Sequence, residues 1–279
     1  STLAQTLGGT FARIQFTPDL LPSDIVGTRV YRPSTESFDV ELGPVFVNFV
    51  LTDEINRAPA KVQSALLEVM AERQVSLGGV THPLPRPFLV LATQNPIESE
   101  GVYPLPEAQR DRFLMRIPVD YPSAREEHDI VERASRPQAV PDGVLSTDDV
   151  QNLQDAAAAL YVDPAVQDYA IRLVLATRHP DEHGVSINGL LAYGASPRAS
   201  IGLIHAGRAL ALLRGRDHVL AQDVYDVAYD VLNHRLVPSF DAIADGVTVD
   251  DVLVEVLTTV VAPHLSSSQL AGRATALRS

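Results

Sequence analysis

Apolar positions in the first hundred residues gather into short runs separated by a helical stretch. "FARIQF" (11–16), "VFVNFVL" (45–51) and "FLVLAT" (88–93) are β-rich, and the last two are almost continuously apolar. Strands covered on both faces of a parallel sheet read this way, because neither side meets water. Between them, Val62, Ala65, Leu66, Val69 and Met70 fall at i, i+3, i+4, i+7 and i+8, which predicts a helix over about 60–73 with one buried face. "QVSLGGVTHPL" alternates on either side of Gly78-Gly79 and predicts a two-stranded hairpin. "FLMRIPV" (113–119) is a fourth strand candidate. Together these elements predict an α/β architecture on a mostly parallel sheet.

Beyond "DYPS" (120–123) helical spacing takes over. "REEHDIVERA", "STDDVQNLQDAAAALY", "DPAVQDYAIRLVLATR", "SPRASIGLIHAGRALALLRG" and "LAQDVYDVAYDVLNHRLV" follow one another, several opening on Ser, Asp or Pro in capping positions. The expected organisation is an α/β domain over 1–120, a helical domain over 121–265 and a frayed tail over 266–279.

Composition narrows the classes. At 279 residues with 46% hydrophobic content the chain has ample material for one large core or two ordinary ones. A net charge of −13 argues against non-specific nucleic-acid binding. Zero cysteines exclude disulfides and thiolate metal sites and fit a reducing, cytoplasmic setting. No apolar run approaches the ~18 residues of a membrane span; "VLVEVLTTVVA" is short and carries Glu255. "STLAQTLGGT" has neither the basic nor the apolar segment of a signal peptide.

The candidate chemistry lies at strand ends, where open α/β sheets bind ligands. The second strand ends in Asp53-Glu54. A strand exit turns successive side chains in different directions, so one carboxylate can serve Mg²⁺ while its neighbour faces an attacking water. The plainer alternative, capping of the helix at 60, fits poorly because Pro59 already marks that start. The third strand delivers Asn95 to the same rim, as a water- or phosphate-orienting amide or as a turn former. "LPEAQRDRF" carries Arg110 and Arg112, either phosphate-directed guanidinium groups or exposed partners of Glu107 and Asp111. In "GASPRAS", Ser196 is a plausible N-cap, Pro197 the first helical residue and Arg198 a cation at a helix start, where it needs an anion or solvent.

"FVLTDEINRAPAKVQSALLEVMAERQVSLGG", "FLVLATQNPIESEGVYPLPEAQRDRF" and "GASPRAS" together closely resemble the MoxR family of AAA+ ATPases, and the likeness covers nearly the whole chain. The resemblance implies a P-loop-type parallel sheet followed by an all-α lid. It implies that Asp53 and Glu54 are the Walker B pair, Asp53 acting on Mg²⁺ and Glu54 as the base for water. It likewise implies Asn95 as sensor 1, Arg112 as the arginine finger and Arg198 as sensor 2. The hairpin at 75–84 corresponds to the family's insertion before sensor 1, and residues 18–44 to its helix 2 insert. The implied cofactors are ATP and Mg²⁺. The implied assembly is a homo-oligomeric ring, hexameric, that remodels or matures client protein complexes, often beside a von Willebrand factor A domain protein.

A phosphate-cradling loop needs glycine-rich backbone and a lysine. "LGG" at 7–9 has no lysine, and Lys61 sits inside the predicted helix. The family alignment puts this loop, and the central first strand feeding it, just upstream of Ser1, so the chain is expected to be a fragment that binds ATP poorly by itself. Two rival readings remain. A non-catalytic interaction module would keep ring and lid surfaces without turnover. A strand-end phospho-acceptor at Asp53 would leave Asn95, Arg112 and Arg198 unexplained. "RHPDEHG" places His179 and His183 four apart, but Pro180 interrupts any helix that would align them, and a solvated loop is expected. His82, His128, His205, His218, His234 and His264 show no partner pattern. Arg208, Arg214 and Arg216 fall near a helix end, where cations suit the dipole.

Overall fold

The structure, a computed structural model, describes residues 2–95, 102–135 and 142–263. The chain forms two compact units: residues 1–112 with 118–154, and residues 113–117 with 155–279. The expected tail over 266–279 lies outside the described residues.

The first unit starts with α1 (Thr2–Thr6), β1 (Phe11–Gln15), α2 (Pro22–Val26) and the paired β2 (Gly27–Arg32) and β3 (Ser37–Leu42). β4 (Phe49–Asp53), α3 (Ala60–Glu72), β5 (Gln74–Leu77), β6 (Val80–Pro83), β7 (Leu89–Ala92), α4 (Glu107–Arg110), α5 (Ala124–Ala134) and the start of α6 (Thr147–Ala159) follow. β1, β4 and β7 form a three-stranded sheet in that order, both pairings parallel, with Phe11 opposite Phe49 and Phe49 opposite Leu89. The near-continuous apolar run of β4 fits its central place: Phe49, Val50 and Thr52 are buried.

β4 begins four residues after the apolar run does. Asn48 explains the offset: it is buried, its Oδ1 accepts from Thr10 N and Thr10 Oγ1 at 3.0 Å each, and its Nδ2 donates to Pro87 O at 2.9 Å. This amide brackets the entry of all three strands, so the residues before it form turns. α3 follows the predicted span closely and buries Val62, Leu66, Leu67 and Val69. β5 and β6 pair with Leu77 opposite Val80. Gly78 and Gly79 between them have φ of 59° and 85°, the left-handed backbone that a two-residue hairpin requires.

The second unit is helical. After β8 (Tyr161–Val162) come α7 (Pro164–Ala176), β9 (Leu191–Tyr193), α8 (Pro197–Leu213), β10 (His218–Val219), α9 (Ala221–Leu232), β11 (Val237–Pro238), α10 (Phe240–Ala244) and α11 (Val249–Thr259). Its core joins Val166, Leu173, Leu203, Val224, Val231, Leu253 and Val256. Burying one such side chain contributes roughly 1.5–3 kcal/mol. Small residues bring α8 against α9: a Cβ on Gly202 would stand 3.2 Å from Val231 Cγ1.

Residues 113–117 are not a strand. Their backbone groups are taken by the second unit instead: Arg116 N donates to Asp230 O at 2.9 Å, and Asn233 Nδ2 to Arg116 O at 3.0 Å. Met115 packs against the helical core. A segment whose carbonyls are satisfied by side chains gains nothing from a sheet ladder.

Candidate functional site

β4 carries Asp53 to the carboxyl end of the sheet, directly opposite Gln15 of β1. The next residue, Glu54, has φ 53° and ψ 50°, a left-handed conformation uncommon outside glycine and costing roughly 1–2 kcal/mol. The backbone therefore leaves the strand at once, and the two carboxylates meet alternate residues of β1, Asp53 at Arg13 and Glu54 at Gln15. Asp53 is 13% exposed and Glu54 26%: both are sheltered and both remain accessible.

Thr93, one residue past β7, ties the pair together. Its hydroxyl donates to Asp53 Oδ1 at 3.4 Å and accepts from Glu54 N at 3.0 Å. Its backbone N donates to Thr52 O at 2.9 Å, and its carbonyl accepts from Ile55 N at 3.0 Å. β1 supplies further donors. Arg13 Nε pairs with Asp53 Oδ2, and Gln15 Nε2 donates to Glu54 Oε2 at 3.0 Å. Arg57 NH1 reaches the same Glu54 oxygen at 3.2 Å.

The turn after Glu54 is braced from beneath. Gln63 of α3 is fully buried, and its Nε2 reaches Ile55 O at 3.2 Å, Ala58 O at 3.1 Å and Tyr103 O at 2.9 Å. Tyr103 N in turn donates to Asn56 O at 2.7 Å.

The other residues singled out from the sequence fall as follows. Asn95, half-buried, lies three residues past β7, at the same end of the sheet as the two acids. Arg110 sits 3.9 Å from Glu107, so it takes the plain ion-pair role. Arg112 is exposed and donates through NH1 to Leu67 O in α3 at 3.2 Å. Arg198 belongs to the second unit, exposed in the first turn of α8, where its backbone N donates to the N-cap Ser196 Oγ at 3.1 Å.

Sequence reasoning missed Arg13, Gln15, Thr93 and Gln63. Arg13 and Gln15 were legible in principle: they alternate with Ile14 and Phe16 at the carboxyl end of β1. Thr93 and Gln63 act through contacts far apart in sequence, and no local pattern marks them.

Two clefts of about 300 Å³ and 290 Å³ have neither acid in their lining. The first is lined by Glu72, Arg73, Arg86 and Gln151, the second by Arg178, His179, Asp181 and Asn188. In the second, Pro180–His183 is a short 3₁₀ turn, and Asp181 Oδ1 accepts from Asn188 Nδ2. Among the described residues no three His, Cys, Asp or Glu side chains group as metal ligands.

Family comparison gives this sheet and this helical unit as an AAA core and its lid. The AAA family, "ATPase family associated with various cellular activities", matches residues 1–115, and the AAA lid domain matches residues 187–256. The chain belongs to the MoxR family of these ATPases. It is 59% identical over 269 residues to "Chaperone MoxR1" of Mycobacterium tuberculosis, covering 95% of this chain and 71% of that protein. It is 35% identical to "Protein MoxR" of Paracoccus denitrificans, covering 84% of this chain and 74% of that protein. A crystal structure titled as "a putative ATPase" from Cytophaga hutchinsonii superposes with a TM-score of 0.88 at 45% identity, covering 94% of this chain and 81% of that one. Among the described residues no helix is long and apolar enough to cross a membrane.

Proposed function

We propose that this chain is the core and lid of an ATP-hydrolysing MoxR protein, with Asp53 on the magnesium side and Glu54 as the general base. The observation carrying this reading is the pair itself: adjacent carboxylates at the strand end, with Glu54 in a left-handed conformation and the Thr93 hydroxyl bonded both to Asp53 Oδ1 and to the Glu54 backbone N–H. The donor set suits Mg²⁺, which is held by one or two carboxylates plus phosphate and water and does not need a protein cage. Arg13, 66% exposed, is the main competitor for Asp53, and a surface ion pair of this kind is worth only about 0–1 kcal/mol. Asp53 would hold the Mg²⁺, which would supply charge neutralisation at the phosphates.

Glu54 accepts the proton of a water as that water's oxygen bonds to the γ-phosphorus and the bond to ADP breaks. Gln15 and Arg57 hold the accepting carboxylate through Oε2. Asn95 orients the water or the γ-phosphate, and Arg198 contacts phosphate from the lid. Arg112 is the finger offered to a neighbouring subunit; Arg110 is set aside because Glu107 engages it. This assigns a ring, hexameric as in the family reading, working in the cytoplasm on client complexes with a von Willebrand factor A domain partner.

The test uses the full-length protein. Glu54→Gln should leave ATP bound and lower turnover about 10²–10⁴-fold, the usual contribution of a general base. Equal turnover by variant and parent removes Glu54 from the mechanism. A parent that assembles and binds partners without hydrolysing ATP points to an interaction module.

A further inference from the structure

Three consecutive polar residues after α9, Asn233, His234 and Arg235, are 3%, 4% and 8% exposed. Buried polar groups need partners, and these spend theirs on one short segment. Arg235 NH2 donates to Phe113 O at 2.6 Å and its NH1 to Leu114 O at 3.1 Å. Arg235 NH1 also donates to Val231 O, which ties the fork back to α9. His234 Nε2 donates to Phe113 O at 3.1 Å, and Asn233 Nδ2 to Arg116 O at 3.0 Å. With Arg116 N on Asp230 O, residues 113–116 are gripped at four backbone groups by one stretch of the lid unit. The residue directly before the grip is Arg112, which belongs to the first unit.

We propose that Asn233, His234 and Arg235 are positioning residues for Arg112. The grip fixes the backbone on the carboxyl side of Arg112, and Leu67 O of α3 holds its NH1, so losing the grip frees one of the two anchors that set where that guanidinium is presented. The inference rests on the reading of Arg112 as a finger acting in trans. A guanidinium reaches the carbonyls of Phe113, Leu114 and Val231 from two separate nitrogens, which the single nitrogen of an ammonium does not offer, so Arg235→Lys should loosen the grip while keeping the charge.

Subunit mixing in the full-length protein tests this. Arg235→Lys alone should lower kcat at least tenfold with KM for ATP within twofold. Mixed with Glu54→Gln subunits it should regain turnover, because the Arg235→Lys subunits carry an intact base and the Glu54→Gln subunits an intact finger. Arg112→Ala mixed with Glu54→Gln is the control. Should the control recover while Arg235→Lys does not, the grip acts only within its own subunit and the proposal falls, with the reading of Arg112 left standing. Should the control fail to recover, the finger in trans falls and takes this proposal with it. Full activity of Arg235→Lys alone also overturns it. If Arg235→Lys does not fold, His234 carries the test. His234→Gln, which keeps an N–H near the place of Nε2, should retain turnover, and His234→Ala should lose it and be rescued by Glu54→Gln subunits. Equal loss in both His234 variants, without rescue, refutes the proposal.

Discussion

Two aspartates of this molecule are each held by arginine, and they serve opposite ends. Asp53 stands at an open sheet edge, 13% exposed, against an Arg13 that is itself 66% exposed. Asp223 is fully buried in the lid. Arg214 NH1 donates to its Oδ1 at 2.9 Å and Arg216 NH1 to its Oδ2 at 2.6 Å, and the Leu220 N–H donates to Oδ2 at 2.9 Å. Arg214 NH2 also reaches Asp226 at 2.6 Å. Burial raises the Asp223 pKa, but the hydrogen bonds from Arg216 and Leu220 outweigh it and hold the carboxyl below its ordinary value. Asp223 fastens the start of α9 to the end of α8. Asp53 is left with a labile partner and room for a ligand. An acid–arginine pair therefore says little alone; what each oxygen is committed to decides whether the pair is a rivet or a site.

The largest expected effect that separates them is on Asp53. Asp53→Asn should lower Mg²⁺-dependent ATP turnover by a hundredfold or more while leaving the melting temperature nearly unchanged, since exposed ion pairs contribute about 0–1 kcal/mol. A loss of folding comparable to the loss of turnover would erase the contrast. Asp223→Ala should do the reverse. Charge-assisted hydrogen bonds to a buried carboxylate are worth about 1.5–3 kcal/mol each, and both arginines are partly exposed and can return to water. A destabilisation of about 3 kcal/mol in denaturant unfolding is expected, with ATP affinity of the folded fraction kept.

The smallest effect is on acid stability. The depressed Asp223 pKa gives stability that is fully present above the ordinary carboxylate value of 3.8 and is lost as pH falls toward the lower folded value. The groups facing it are Arg214, Arg216 and the Leu220 backbone, with Asp226 beside Arg214. As pH falls below about 4 the parent should therefore lose more stability than Asp223→Asn does. Parallel acid curves would show that the pair carries no pH linkage.

The fold was legible where a local period determines it. The apolar face of α3 and the Gly78-Gly79 hairpin need nothing beyond their own residues. Residues 113–117 were not legible, because their apolar run reads as a strand and only the polar trio more than a hundred residues later decides otherwise. Arg214 and Arg216 follow the end of α8 as expected, and what was not legible is that they also pair with Asp223. At the site, the acids and Asn95 were visible as polar residues ending apolar strands. Their braces were not, because Arg13, Gln15 and Thr93 join them only through strand neighbours.

The amide of Gln63 has a mechanical consequence. Because one buried group touches the carbonyls of Ile55, Ala58 and Tyr103, the bend behind the acids and the stretch at Tyr103 form a single stiff piece. Force applied to either is felt by both. A binding partner that grasped the stretch at Tyr103 would be pulling on the hinge from which Glu54 hangs, with no need to approach the nucleotide.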